Sequence, residues 1–241
     1  MPIGITVNAL SVLLGGIFGA LGGKKMSKGF KESLNMAFGV CSMAMGIFAI
    51  APMKNMAAVI FSIIIGTAIG LIFHLGEWIN RGASNMQKFI SKFIHAPAAL
   101  DQKTFDATLV TVIVLFCASG TGIYGALTEG MNGDATILIS KSILDFFTAA
   151  IFAANLGYVV SLIAVPQFVI FIILFFAAHL IYPLTNPAMI LDFKAAGGVL
   201  MLASGFRMVQ IVMFPTADMI PAMIVAMPIS WFWMAIILPI L

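Results

Sequence analysis

Residues 134–157 read DATILISKSILDFFTAAIFAANLG, an apolar run that carries a lysine and an aspartate near its middle. The run has about the 20 residues that a helix needs to cross a bilayer. Lys141 and Asp145 are four residues apart and therefore share one face of the predicted helix. Counted from residue 135, they lie about 9 Å and about 15 Å along it, so Asp145 is placed near the middle of a membrane.

The polar stripe on this helix continues from the charged pair to Thr148 and Asn155. An ionised side chain near the bilayer centre costs roughly 2.5–3.5 kcal/mol on insertion scales, so the stripe must face protein or a water-filled cavity. Two interpretations remain open. The pair either lines a path for a substrate or ion, or neutralises itself and fixes packing. An apolar pair would avoid the desolvation cost of two charges. The presence of a charged pair therefore favours the path for a substrate or ion.

The composition of the whole chain indicates a polytopic membrane protein. Of its 241 residues, 62% are hydrophobic and 9% are charged, and the mean hydropathy is +1.13. So few charges exclude a soluble enzyme, a nucleic-acid-binding module and a disordered chain. The net charge of +3 is explained by basic loops. No residue cluster has metal-ligand spacing, and we expect no cofactor and no enzymatic activity.

The apolar runs predict an all-α bundle of about eight transmembrane helices in a single membrane domain, with seven helices as the alternative. The predicted spans are 3–23, 34–51, 55–75, 106–128, 135–158, 162–183, 194–214 and 219–240. Residues 1–75 and 161–241 each form a three-helix group in this prediction, and 105–160 form a central pair. Glu129 and Asp134 flank the loop after the fourth span, where we expect a solvated turn, with attraction of cations to an outer mouth as the alternative.

Residues 76–104 contain a predicted amphipathic helix, from Glu77 to His95. Its apolar residues recur at helical spacing, from Trp78 to Ile94, and basic and polar residues occupy the other side. Such a helix lies in the membrane interface with its cations near anionic lipid, so we expect membrane lipids as partners. An ordinary helical linker is the alternative interpretation.

The basic residues predict the orientation, because cytoplasmic loops are enriched in lysine and arginine. With both termini on the periplasmic side, only Lys54 and Lys194 lie in outer loops. The cytoplasmic side then collects Lys24, Lys25, Lys28, Lys31, Arg81, Lys88, Lys92, Lys103 and Arg207.

An internal repeat relates the two ends of the chain. At a shift of 159 residues, FGVCSMAMGI at 38–47 aligns with GGVLMLASGF at 197–206, and Asn8 aligns with Gln167. Helices one to three would then repeat as helices six to eight. Five helices separate equivalent members, which gives the two copies opposite orientations. Inverted repeats are a common plan of secondary transporters.

Two further segments offer polar groups to the charged pair. Asn8 lies in a stripe of small residues on the first helix, which includes a GxxxG pair at Gly15 and Gly19. The fourth span ends in ASGTGIYG, which contributes three candidate residues: Ser119, Gly120 and Gly122. This end is either an unwound stretch whose free backbone groups bind a ligand, or a glycine-rich contact surface. The cysteines Cys41 and Cys117 are interpreted as buried packing residues.

The opening TVNALSVLLGGIFGALGG and the central LFCASGTGIYGALTEGMNGDATILISKSILDFFTAAIFAANLG resemble the YdfK/YqgA-like family, which is grouped under a domain of unknown function. The resemblance runs over most of the chain and includes the stretch from Lys141 to Asp145. It implies several spans in a bacterial inner membrane, and it implies no established activity.

These patterns favour a small secondary transporter or exporter of an ion or small polar solute. Lys141 and Asp145 would line the central site, Asn8 and Gln167 would supply amide contacts, and the glycine-rich stretch would flex or bind. The alternatives are an oligomeric, channel-like pore and a structural or lipid-interacting membrane protein without transport. A homo-oligomer is possible under each, and no nucleic acid is expected.

Overall fold

The computed structural model describes residues 1–22, 27–92, 94 and 101–240, and within these ranges every regular element is helical. The helices are α1 Ile3–Gly22, α2 Lys28–Ile50, α3 Met56–Ile72, α4 Leu75–Ile90, α5 Gln102–Cys117, α6 Gly120–Asn132, α7 Thr136–Leu156, α8 Val159–Leu162, α9 Ala164–Ile181, α10 Pro187–Met208 and α11 Pro221–Phe232. A 3₁₀ turn at Tyr182–Leu184 follows α9, and a π-helical turn at Trp233–Ile237 follows α11.

Six helical stretches in the described part of the chain are long and apolar enough to cross a membrane, or up to seven if the bent pair α3 and α4 is one span. They are Ile3–Gly22, Gly29–Ile50, Gln102–Asn132, Thr136–Leu156, Val159–Leu184 and Pro187–Met208. The apolar stretch Pro221–Ile237 is shorter. The all-helical, multi-pass membrane architecture is confirmed, and the count of eight spans remains a prediction.

The outward side chains of the helices are apolar. On α1, Leu10, Leu14 and Phe18 are exposed, as are Ile60 and Ile64 on α3. A soluble protein rarely exposes large contiguous apolar patches. These faces therefore suit contact with lipid tails.

The chain forms two compact units, Met1–Asn35 with Glu77–Ala178, and Met36–Gly76 with His179–Leu241. In the first unit α1 lies parallel to α7, and small residues bring the two backbones together. A side chain at Gly15 would collide with the backbone of Phe146, and one at Gly19 would collide with that of Ala150. The GxxxG stripe is therefore a contact surface between helices.

Helix α4 is attached to α5 in the first unit through polar groups. The carboxylate of Asp106 accepts hydrogen bonds from Gln87 Nε2 at 2.7 Å and Ser91 Oγ at 3.1 Å. These hydrogen bonds explain why Gln87 is buried, although it was expected on the polar side of the amphipathic helix. The apolar side chains of Trp78 and Phe89 are exposed. The described helix ends at Ile90, before the expected end at His95.

In the second unit α2 and α10 pack antiparallel through glycines. Gly39 lies against the carbonyl of Gly205, and Gly46 lies against that of Gly198. Between these contacts Ser42 Oγ donates to the carbonyl of Met201 at 3.2 Å. Helices α3 and α11 are also antiparallel: Gly66 contacts Ala222, and Gly70 contacts the backbone of Asp218.

The expected boundaries of the seventh span, 194–214, are wrong. Helix α10 begins at Pro187 and ends at Met208, and Asn186 caps it by accepting from the backbone N–H of Met189 at 3.0 Å. Lys194, expected in an outer loop, lies inside α10, and the buried Asp192 accepts hydrogen bonds from Lys54, Asn55 and Ser230. Gln210 adopts a left-handed backbone at φ 59°, which ends the helical path early.

The fourth predicted span is interrupted. Helix α5 ends at Cys117, and α6 begins at Gly120 with Ser119 as its N-cap. The break between α5 and α6 corresponds to the predicted interruption of the helix, and the packing of Gly122 against the ring of Phe171 corresponds to the predicted contact surface. Of the cysteines, Cys117 is buried as expected, whereas Cys41 is exposed and its expected burial is wrong.

Two predicted basic segments are covered only in part. Lys24 and Lys25 lie outside the described residues, as do Phe93 and residues 95–100.

Candidate functional site

Lys141 and Asp145 form a buried ion pair on α7. The ammonium donates a hydrogen bond to Asp145 Oδ2. The two residues are 4% and 7% exposed. Asp145 is nine residues after the start of this 21-residue helix, about 13.5 Å along it and close to its middle. The pair therefore lies where an uncompensated charge would be costly.

Two amides complete the network from other helices. Asn8 Nδ2 on α1 donates to Asp145 Oδ2 at 2.8 Å. Gln167 Nε2 on α9 donates to Asn8 Oδ1 at 2.8 Å and to Asp145 Oδ2 at 3.4 Å. Both amides are completely buried. The structure thus brings together four of the residues that the sequence singled out.

The walls of the network come from α5 and α7. The Lys141 ammonium lies 5.9 Å from the centroid of the Phe116 ring, within the range of a cation–π interaction. Cys117, next along α5, is buried. Thr148 is buried on the same face of α7 as Asp145, as its spacing predicted.

The remaining candidates lie elsewhere. Asn155 is exposed near the end of α7 and accepts a hydrogen bond from Lys31 Nζ at 3.4 Å. Ser119 Oγ caps α6 through the backbone N–H of Gly122 at 3.2 Å. Gly120, the first residue of α6, is buried. Asn155 and Ser119 thus make hydrogen bonds near helix ends, outside the network around Asp145.

One polar atom in the network has no partner. Gln167 Oε1 is buried and accepts no hydrogen bond. The orientation of this amide is determined by its neighbours, because the flipped form would place the oxygen against Asn8 Oδ1 and Asp145 Oδ2. A buried acceptor without a donor costs about 1–3 kcal/mol.

Buried carboxylates elsewhere hold helix N-termini. Glu129 is 2% exposed. It accepts from the backbone N–H groups of Gly4 at 2.7 Å and Ile5 at 3.1 Å, at the start of α1. The expectation of a solvated turn is therefore wrong, since this carboxylate satisfies free N–H groups and the helix dipole.

Asp192, which the sequence analysis did not select, has the same role for α3. It is completely buried. Oδ1 accepts from the backbone N–H groups of Lys54 and Asn55, both at 2.9 Å. Oδ2 accepts from Asn55 Nδ2 at 2.8 Å and Ser230 Oγ at 2.6 Å. The available signal was an aspartate within an apolar run, but its partners are distant along the chain.

The four-residue network is electrically neutral, since one ammonium balances one carboxylate and the two amides carry no charge. The carboxylate oxygen Asp145 Oδ2 gathers donors from three side chains. This oxygen is therefore the common acceptor of one cationic donor and two amide donors.

Comparison with known proteins places the chain in a family without an established activity. The sequence model described as "Protein of unknown function (DUF554)" matches residues 3–231. The uncharacterized protein YqgA of Escherichia coli (strain K12) is 44% identical over 235 residues, covering 98% of this chain and 99% of the relative. The uncharacterized membrane protein YdfK of Bacillus subtilis (strain 168) is 26% identical over 226 residues, covering 92% and 93%.

No solved structure matches the chain significantly. The extent of the family match and the identity to the Escherichia coli relative show that the chain belongs to the DUF554 family.

Proposed function

We propose that this member of the DUF554 family is a small secondary transporter or exporter of an ion or small polar solute. The observation that carries the proposal is the buried network in which α1 and α9 each supply an amide to the Lys141–Asp145 pair. An ionisable residue inside a membrane helix is by default a functional site, because its insertion is costly.

A structural membrane protein without transport is the second candidate. Asp145 Oδ2 has three donors, as expected for a pair that fixes packing. Gln167 Oε1 is compatible with the transporter, because this buried acceptor of the network is open to a ligand. Thr128 Oγ1 and Ser161 Oγ, outside the network, are buried without partners as well.

The transporter proposal includes the inverted repeat. Shifted by 159, the bounds of α2 fall within one residue of those of α10. Two hydrogen bonds join residues that the repeat makes equivalent. Gln167 bonds Asn8 within the first unit, and Ser42 bonds Met201 within the second, and each pair is 159 residues apart. Antiparallel contact between equivalent residues is expected at an axis that relates inverted copies.

The proposed location is a bacterial inner membrane with both termini periplasmic. In a cysteine-free background, a cysteine at Asn132 should react with an impermeant maleimide added to intact cells. One at Ser27 should react only after the cells are opened. Both positions are exposed, so access alone decides the result. The reverse labelling pattern would contradict the proposed orientation.

The function is tested by solute-dependent melting of the purified protein in detergent. The panel consists of chloride and phosphate salts of monovalent cations, neutral amino acids and polyols. We expect at least one class to raise the melting temperature, because a ligand of the native state stabilises it by mass action. The same solute should exchange across vesicles that contain the protein. A panel without any stabilising solute contradicts a transport site.

A further inference from the structure

The Lys141–Asp145 site holds an ammonium group in a setting that suits a mobile cation. The ammonium has the Asp145 carboxylate on one side and the Phe116 ring 5.9 Å away on another. Gln167, whose Nε2 lies 3.4 Å from Asp145 Oδ2, also carries a buried oxygen, Oε1, without a donor. A carboxylate, amide oxygens and an aromatic face are the groups that stabilise a positive charge away from water.

We infer that a small monovalent cation binds at Asp145 in place of the Lys141 ammonium, an inference that rests on the proposed transport function. Asp145 would supply the charge. In the lysine-bound state Asn8 and Gln167 present their amide nitrogens to this carboxylate, so both amides would rotate to supply Oδ1 and Oε1 once the ammonium has left. Hard cations prefer oxygen ligands of this kind. The occupied site therefore satisfies the acceptor that is unpartnered in the lysine-bound state.

The charge of the site selects a monovalent ligand. Asp145 carries one negative charge, which one monovalent cation balances once the Lys141 ammonium has left. A divalent cation would leave one positive charge uncompensated near the middle of the membrane, which is costly.

Lys141 can leave the site without losing its charge. It lies five residues after Thr136, the first residue of α7, about 7.5 Å along the helix. The flexible four-carbon stem of a lysine lets its ammonium reach the membrane surface from such a position. Lys141 is thus a competitor that occupies Asp145 when the cation is absent.

The other ionisable groups close by do not replace either partner. Cys117 on α5 is buried, and its sulfur is a soft ligand that a hard cation does not prefer. Glu129 on α6 is held by the backbone N–H groups of Gly4 and Ile5. Among the described residues, Asp145 is therefore the carboxylate of this network on which the cation and Lys141 converge.

The inference is tested by melting purified variants in chloride salts of sodium, potassium, ammonium and methylammonium. N-methylglucamine chloride keeps the ionic strength constant, and magnesium and choline chloride serve as controls for charge and size. Lys141→Met should show a cation-dependent rise in melting temperature at about tenfold lower cation concentration than the parent protein, because the Lys141 ammonium no longer competes for Asp145. Asp145→Asn should show no rise, and the surface variant Lys88→Met should match the parent.

Uptake of radiolabelled sodium, rubidium and methylammonium into vesicles gives a second readout. The parent should accumulate at least one of them, and Asp145→Asn should lose this uptake. If Lys141→Met does not fold, the comparison of parent with Asp145→Asn decides. The inference is overturned if no monovalent cation raises the melting temperature of the parent protein and none accumulates in vesicles that contain it. A neutral or anionic solute that stabilises the parent would then leave the proposed transport function intact.

Discussion

Removing the Lys141 ammonium should destabilise the protein by about 3–5 kcal/mol, because the Asp145 carboxylate remains buried without a charged partner. Lys141→Met leaves this carboxylate with only amide donors, whereas Asp145→Asn should cost less, because the ammonium can move to the membrane surface. The double variant should recover most of this loss, since no charge remains to be buried. Unfolding by dodecyl sulfate in mixed micelles measures the free energies of the double-mutant cycle.

A matched control exists on α4. Arg81 and Glu77 have the same four-residue spacing, but their side chains are 66% and 60% exposed. Their cycle should give a coupling of about 0.3–0.5 kcal/mol. A Lys141–Asp145 coupling as small as this would show that the pair is solvated and would remove the energetic basis of the proposed site.

Replacing Asp192 with alanine should be nearly as damaging, with an expected loss of about 3–5 kcal/mol. The substitution leaves four donors without an acceptor, from the backbones of Lys54 and Asn55 and the side chains of Asn55 and Ser230. Hydrogen bonds to a charged group contribute about 1.5–3 kcal/mol each, and they are not additive. Ser230→Ala, which removes one donor, should cost about 1 kcal/mol.

Asp101 provides the comparison for this prediction. It also caps a helix, but it is exposed and accepts from the backbone N–H of Thr104 at 2.9 Å. Hydrogen bonds from Thr104 lower the pKa of Asp101, so its small contribution is present at neutral pH and is lost as the pH falls through that lowered pKa. Asp101→Ala should therefore cost much less than Asp192→Ala. Equal losses would contradict the role assigned to Asp192.

Local patterns in the sequence were enough to predict an all-helical membrane chain and the four residues that meet in the buried network. The four-residue spacing of Lys141 and Asp145 placed both on one face of α7, and the 159-residue shift paired Asn8 with Gln167. These predictions rest on helical periodicity and on the cost of burying charge, which act within one helix or between similar segments.

The roles of Glu129 and Asp192 were not predictable in the same way. Each carboxylate caps a helix that lies more than 120 residues away, Glu129 at Gly4 and Asp192 at Asn55. A contact between distant residues leaves no periodic pattern in the sequence. A buried carboxylate near the end of a helix therefore looks the same in the sequence as a carboxylate exposed to water. The predicted seventh span began at residue 194, whereas α10 begins at Pro187 and includes Asp192.

The proposed function requires that the Lys141–Asp145 pair binds a transported solute. The most direct test compares the parent with the double variant Lys141→Met, Asp145→Asn, using the solute that stabilises the parent in the melting panel. We predict that the double variant unfolds like a stable protein but shows no solute-dependent rise in melting temperature. A double variant that responds to the solute as the parent does would place the binding site elsewhere and leave the pair with a structural role.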